Sequence, residues 1–137
     1  MYPEEITAPI REDLTGSGFQ ELRSPEQVDE IMNQGGTTLC VINSVCGCAA
    51  RNARPAAKLS VQLSEKQPNN LVTVFAGVDA EAVAQARKYT LPYPSSSPSI
   101  ALFKDGKLVH FLERHHIEGN TAEAIADNLA AAYTEFC

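Results

Sequence analysis

Residues 37–43, Thr-Thr-Leu-Cys-Val-Ile-Asn, form an apolar run without alternation, bounded by turn signals. A strand with one wet face alternates polar and apolar side chains. An unbroken run belongs to a strand covered on both faces, as in a parallel sheet. Parallel neighbours need long crossover connections, usually helices, so this one segment points to a layered α/β fold. The flanking sequence supplies the other layers. Residues 47–65 are alanine-rich, with Ala56, Leu59 and Leu63 on one side, and read as a crossover helix that Pro55 kinks. A second apolar strand spans 71–76, and Asp79 stands where it can cap a helix over 80–89. Strands over 99–103 and 108–112 flank Lys104-Asp105-Gly106-Lys107, where Asp-Gly suits the positive φ of a type I′ hairpin turn. Asn120 is placed to cap a last helix with Ile125, Leu129, Ala132, Tyr133 and Phe136 at helical spacing.

Upstream, Ile6, Ile10 and Leu14 mark a helix over 4–15 that Pro9 weakens, and residues 19–22 read as a short strand. Ser24, Pro25 and Gln27 have the pattern of an N-cap, a first helical turn and a capping box. That helix shows Val28, Ile31 and Met32 to the core and ends at Gly35-Gly36. After residue 36 the order is βαβαββα, a mixed sheet covered by helices. No repeat, low-complexity tract or linker divides the 137 residues, so a single domain over 1–137 is expected.

Charge and cysteine usage restrict the function. Lys and Arg total 11 against 17 acids, a net charge of −6. That balance opposes nucleic-acid binding and docking on an anionic membrane. No apolar run approaches the ~20 residues of a membrane helix. The opening Met-Tyr-Pro-Glu-Glu lacks the basic and apolar regions of a signal peptide, so a cytoplasmic location is expected. Four cysteines, Cys40, Cys46, Cys48 and Cys137, are too few for a secreted disulfide scaffold. In a reducing cytosol, neighbouring cysteines are more often catalytic, redox-sensing or metal-binding.

Cys46-Gly47-Cys48 lies where the strand over 37–43 meets the following helix. Free N–H groups and the partial positive charge of a helix N-terminus favour a thiolate, the reactive form. Cys46 is thus positioned as a nucleophile, and Cys48 is near enough to attack a mixed disulfide formed on it. Residues two apart on a regular helix point to nearly opposite faces. Cys46 must therefore sit in the preceding turn, with Gly47 supplying backbone freedom. The small ring of a Cys-x-Cys disulfide predicts strain and easy reduction, which suits thiol exchange or isomerisation. Metal binding or inert packing stays open as the other explanation. A four-cysteine zinc site, however, usually shows two Cys-x₂₋₄-Cys pairs, and this chain has none.

The segment Asn43-Ser44-Val45-Cys46-Gly47-Cys48-Ala49-Ala50-Arg51 resembles the active-site signature of the bacilliredoxin family. Ala53-Arg54-Pro55-Ala56-Ala57, Thr73-Val74-Phe75-Ala76-Gly77 and Pro94-Ser95-Ser96-Ser97-Pro98-Ser99 are similar too. The likeness runs on through Val109-His110-Phe111, Arg114-His115 and Ile117-Glu118-Gly119 to Cys137, and takes in Leu14-Thr15-Gly16-Ser17-Gly18-Phe19. It implies an α/β, thioredoxin-like fold: a central mixed β-sheet flanked by helices on both faces, with an extra N-terminal helix. It also implies thiol–disulfide exchange on proteins carrying a mixed disulfide with bacillithiol, a low-molecular-weight thiol that serves as co-substrate. Cys46 would attack and Cys48 would resolve, or free bacillithiol would resolve in its place. No tightly bound cofactor and no metal are expected. The expected partners are bacillithiolated or disulfide-bonded client proteins and the low-molecular-weight thiol, with the chain a monomer or weak dimer.

The same fold resemblance gives roles to other residues. Pro98 matches the cis-proline beside the active cysteine of thioredoxin-like proteins, and the backbone of Ser97 could pair with an extended client segment. A hairpin that starts beside Cys46 returns to the same end, so Arg114 and His115, and less directly His116, fall near the site and favour a thiolate. A solvated loop, or a side chain that caps a helix, explains them as well. Arg51 and Arg54, on the first helical turns, could hold an anionic thiol, or could lie on an ordinary exposed face. Where thioredoxins carry a buried aspartate, six residues before the first active cysteine, this chain has Cys40, read as a core residue. Cys137 reads as a non-essential thiol. Three functional readings are carried forward: removal of bacillithiol from proteins, general disulfide isomerisation or reduction, and a non-enzymatic metal-binding or adaptor module.

Overall fold

The computed structural model describes residues 2–137. Helix α1 (Glu4–Thr15) contains Pro9 without breaking. The carbonyl that Pro9 cannot bond belongs to Glu5, an exposed residue in the first turn, where the missing bond costs least. Strand β1 (Gln20–Glu21) and helix α2 (Pro25–Asn33) follow. The Ser24 hydroxyl accepts the Gln27 N–H at 3.3 Å, while the Gln27 side chain reaches back to the N–H of Arg23 at 2.6 Å, one residue beyond the usual capping-box partner.

Strand β2 (Thr37–Asn43) is buried at every position, as the unbroken apolar run requires. The crossover after it is not one kinked α-helix. A π-helical turn over Ala49–Ala53 comes first, then helix α3 (Arg54–Leu63) with Pro55 in its first turn. The Arg54 N–H bonds to the carbonyl of Ala49, five residues back. Pro55 has no N–H, and its ring crowds the carbonyl four residues before it; the chain widens ahead of the proline instead of bending at it.

Next come strand β3 (Asn70–Phe75), helix α4 (Ala80–Lys88), strands β4 (Ser99–Lys104) and β5 (Lys107–Leu112), and helices α5 (Arg114–Glu118) and α6 (Ala122–Phe136). The sheet order is β1-β3-β2-β4-β5. Strand β2 pairs in parallel with β3 and antiparallel with β4. The hairpin turn has φ of 52° at Asp105 and 77° at Gly106, as a type I′ turn requires. A Cβ on Gly106 would also lie 2.9 Å from the carbonyl oxygen of Met32, so the position has room only for glycine.

Successive side chains of β2 serve opposite cores. Leu39 and Val41 pack with Leu14 of α1, Ala53, Ala56 and Ala57, and Leu129 and Tyr133 of α6. Cys40 and Ile42 pack with Val28 and Met32 of α2 and Val83 and Ala86 of α4. Helices on both faces of a mixed sheet, with the extra α1 joining the first face, match the expected architecture.

Two caps differ from expectation. Asp79 makes no side-chain bond to α4 because its carboxylate is taken by Arg11 of α1, at 2.8 and 3.2 Å. Arg11 also bonds Glu21 and lies 5.2 Å from the centre of the Phe75 ring. Asn120 is not the cap of α6: the Thr121 hydroxyl accepts the Ala124 N–H at 3.1 Å, and the Asn120 amide donates to the carbonyl of His116 instead. Residues 114–118, to which the sequence pattern assigns no element, form the short helix α5.

Candidate active site

The site forms where β2 ends. Asn43, the last strand residue, is buried, and Ser44 to Gly47 turn the chain toward the π-helical turn. The Ser44 hydroxyl accepts the Cys46 N–H at 3.3 Å and donates to Cys46 Sγ at 3.0 Å. Partial burial opposes ionisation of Cys46, but the Ser44 hydroxyl, the N–H groups of Ala49 and Cys48 and the charge of Arg114 outweigh it. The Cys46 thiol is thereby held below the ordinary thiol range. Turning the chain ahead of the helix, as the Cys-x-Cys spacing demands, brings those N–H groups to the sulfur.

Cys48 has different neighbours. Its thiol donates to Glu118 Oε1 at 3.5 Å, and Arg114 Nη2 lies 3.9 Å from its sulfur. Partial burial, then Glu118, then Cys46 push this thiol up, against the pull of Arg114. Arg114 is the hub. Nε donates to Glu118 at 2.9 Å and Nη1 to the carbonyl of Ser97 at 3.1 Å. All four cysteines are free thiols.

The Ser97–Pro98 bond is cis, as expected, and so is Leu91–Pro92, which was not anticipated. Pro98 is buried and Ser97 half-buried. Ser97 lines an open groove of about 220 Å³ with Cys46, Ser44, Ala76, Gly77 and Arg114. The Ser97 carbonyl is therefore not free: an extended segment pairing there has to displace the Arg114 guanidinium.

The other expected residues divide. Arg51 is exposed and lies across Gly47; a Cβ there would meet its guanidinium at 3.0 Å. Its guanidinium lies over the residue between the two cysteines and is open to solvent. Arg54 does not. It is 6% exposed and turned inward, donating to Asp13 at 2.8 Å, to the Asn43 side chain at 2.9 Å and to the Ser44 carbonyl at 3.0 Å. The wide turn before Pro55 rotates it off the outer face, and its donors go to positioning the loop under Cys46. His115 is exposed, its ring tilted 46° against that of His116 with ring centres 4.0 Å apart, and takes no part in lining the groove.

Cys40 is buried among apolar side chains, and burial pushes its thiol up to about 12, so it packs as an inert core residue. Sequence reasoning missed Ser44, Glu118 and Asp13. Ser44 stands two residues before Cys46, a spacing that could have suggested a donor to the thiolate. Glu118 has no such signal, because only the unforeseen helix α5 brings it to Cys48.

A family model described as disulphide isomerase matches residues 2–137. A bacilliredoxin of Cytophaga hutchinsonii is 58% identical over 135 residues, 98% of this chain and 99% of its own. A bacilliredoxin of Halalkalibacterium halodurans is 53% identical over 137 residues, covering 99% of this chain and 94% of its own. Among solved structures, oxidised thioredoxin from Plasmodium falciparum superposes with a TM-score of 0.58 at 17% identity, covering 85% of this chain and 99% of its own. The thioredoxin-like domain of Arabidopsis NCP gives 0.62 at 17% identity, over 85% of this chain and 77% of its own. The fold is thioredoxin-like.

Proposed function

The chain belongs to the bacilliredoxin family of thiol–disulfide oxidoreductases, and on that premise we propose that it removes bacillithiol from protein mixed disulfides, with Cys46 attacking and Cys48 resolving. One observation carries the proposal: Cys46 Sγ, opening on a groove, is met by a hydroxyl at 3.0 Å and by backbone N–H groups that favour its thiolate. The Cys46 thiolate attacks the bacillithiol sulfur of a client mixed disulfide. The new S–S bond joins Cys46 to bacillithiol, and the client leaves as a thiolate that takes a proton from solvent. Cys48 then gives up its proton to solvent and attacks Cys46 Sγ as a thiolate. That closes the Cys46–Cys48 disulfide and expels bacillithiol as its thiolate. A second bacillithiol, attacking in place of Cys48, would instead return the Cys46 thiolate and carry away a symmetrical disulfide.

Recognition follows from the groove. Arg114 on the groove and the exposed Arg51 over Gly47 offer cationic groups to an anionic thiol, and an extended client pairs with the backbone at Ser97 beside cis-Pro98 by displacing the Arg114 guanidinium from the Ser97 carbonyl. Mass spectrometry of the Cys48→Ala protein, after exposure to a bacillithiolated client, tests the proposal. A bacillithiol adduct on Cys46 with release of the reduced client is the expected result. Bacillithiol retained on the client, with no adduct, overturns it. The description of the matching family model favours a second reading, general disulfide isomerisation. Recovery of scrambled disulfides without bacillithiol, together with no adduct, would select that reading.

A further inference from the structure

Two sulfurs one residue apart on the same turn share a backbone, yet their surroundings differ in kind. The groups that hold Cys46 Sγ are donors: the Ser44 hydroxyl at 3.0 Å and the N–H groups of Cys48 and Ala49. Donors stabilise a thiolate. Cys48 Sγ instead meets an acceptor, Glu118 Oε1, at 3.5 Å. A thiolate has no proton to donate, so that contact belongs to the thiol form alone. Arg114 could offset this from 3.9 Å, but its Nε is bonded to the same Glu118 oxygen at 2.9 Å. The cation beside Cys48 is thus countered by a full carboxylate.

We infer that Glu118 decides which of the two sulfurs attacks: by accepting the Cys48 Sγ–H and tying down Arg114, it keeps Cys48 a thiol and leaves the thiolate to Cys46. The inference rests on the proposed assignment of Cys46 as nucleophile. The charged and titratable groups acting on Cys48 are Glu118 and Arg114 from α5 and Cys46 from its own loop, with the Arg51 guanidinium lying across the intervening Gly47. Glu118 is itself held as a carboxylate, first by Arg114 and then by the Cys48 thiol. The thiol-bearing residue of the strand cannot supply this control, since Cys40 is buried in the apolar core beneath α2 and α4. Control comes instead from a helix after the hairpin.

The test is the rate of iodoacetamide alkylation at each cysteine, read by peptide mass spectrometry from mildly acidic to mildly alkaline pH. Wild-type, Glu118→Gln and Glu118→Asp proteins are compared as full chains, with thermal unfolding confirming that each is folded. In the wild type Cys46 is modified first and Cys48 lags. In Glu118→Gln the Cys48 curve moves to lower pH, and its alkylation near neutrality rises about tenfold. Glu118→Asp falls between. A Cys48 curve that ignores residue 118 overturns the inference. A wild-type protein in which Cys46 is not the faster thiol overturns the nucleophile assignment instead, a separate result.

Discussion

At the scale of single residues, the chemistry turns on one hydroxyl. Ser44 accepts the Cys46 N–H and donates to Cys46 Sγ, so its orientation is set by the nucleophile's own backbone. Ser44→Ala removes one donor and leaves the backbone donors and Arg114. The Cys46 thiol then titrates higher, and less of it is thiolate at neutral pH. A thiolate of higher pKa is also the better nucleophile, which returns part of the loss. The net expectation is a drop of about threefold to tenfold in the rate of attack on a mixed disulfide near neutrality, shrinking as pH rises. Stopped-flow release of a labelled client across pH measures it; a deficit that persists unchanged at alkaline pH would contradict it.

At the scale of elements, Arg54 couples three of them. Its guanidinium joins Asp13 of α1 to the Asn43 side chain and the Ser44 carbonyl at the end of β2. Arg54→Ala leaves a buried amide and a buried carbonyl without that donor. It is expected to cost about 2–3 kcal/mol in urea unfolding and to slow attack by Cys46 as the loop loosens. Stability unchanged by the substitution would mean that water replaces the guanidinium. Burial works to raise the Asp13 carboxyl, but Lys58 at 2.5 Å and Arg54 at 2.8 Å hold it below its ordinary value. A depressed folded-state pKa contributes stability above the unfolded-state value of about 3.9 and loses it as pH falls through the folded-state value. Asp13→Asn is therefore expected to lower stability near neutrality and to flatten its acid dependence; an unchanged acid limb would contradict this.

The same elements show what a sequence discloses. The buried strand, the Asp-Gly hairpin and the Ser24 cap were legible because each depends on side chains close in sequence. The roles of Asp79 and Arg54 were not. Each carboxylate or guanidinium had a local use available, as a cap or an outer-face cation, but a distant partner on α1 claims it. Arg114 was placed by following the hairpin back to its starting end, whereas Glu118 needed the helical turn that carries it to Cys48.

At the scale of the whole molecule, α1 is bound to the domain by charge as well as by Leu14. Arg11 bonds Asp79 and Glu21 and lies over Phe75, so α1 is tied to β1, β3 and the start of α4 at once. Arg11→Ala strips the cation from the largely buried Glu21 and leaves Asp79 only the exposed Arg23, 3.6 Å away, and is expected to destabilise the chain by about 3 kcal/mol in thermal or urea unfolding. Arg11→Ala together with Asp79→Ala should recover part of that loss; a double variant no more stable than the single would contradict the pairing. The assembled sheet has one chemical consequence: it ends β2 where backbone donors and Ser44 converge on the Cys46 sulfur, with the charge of Arg114 acting on it through space. The direct measurement is a pH titration of Cys46 in the Cys48→Ala protein, following thiolate absorbance and alkylation rate together. Both should give one transition, below that of free cysteine under the same conditions. A transition at or above free cysteine would contradict the account.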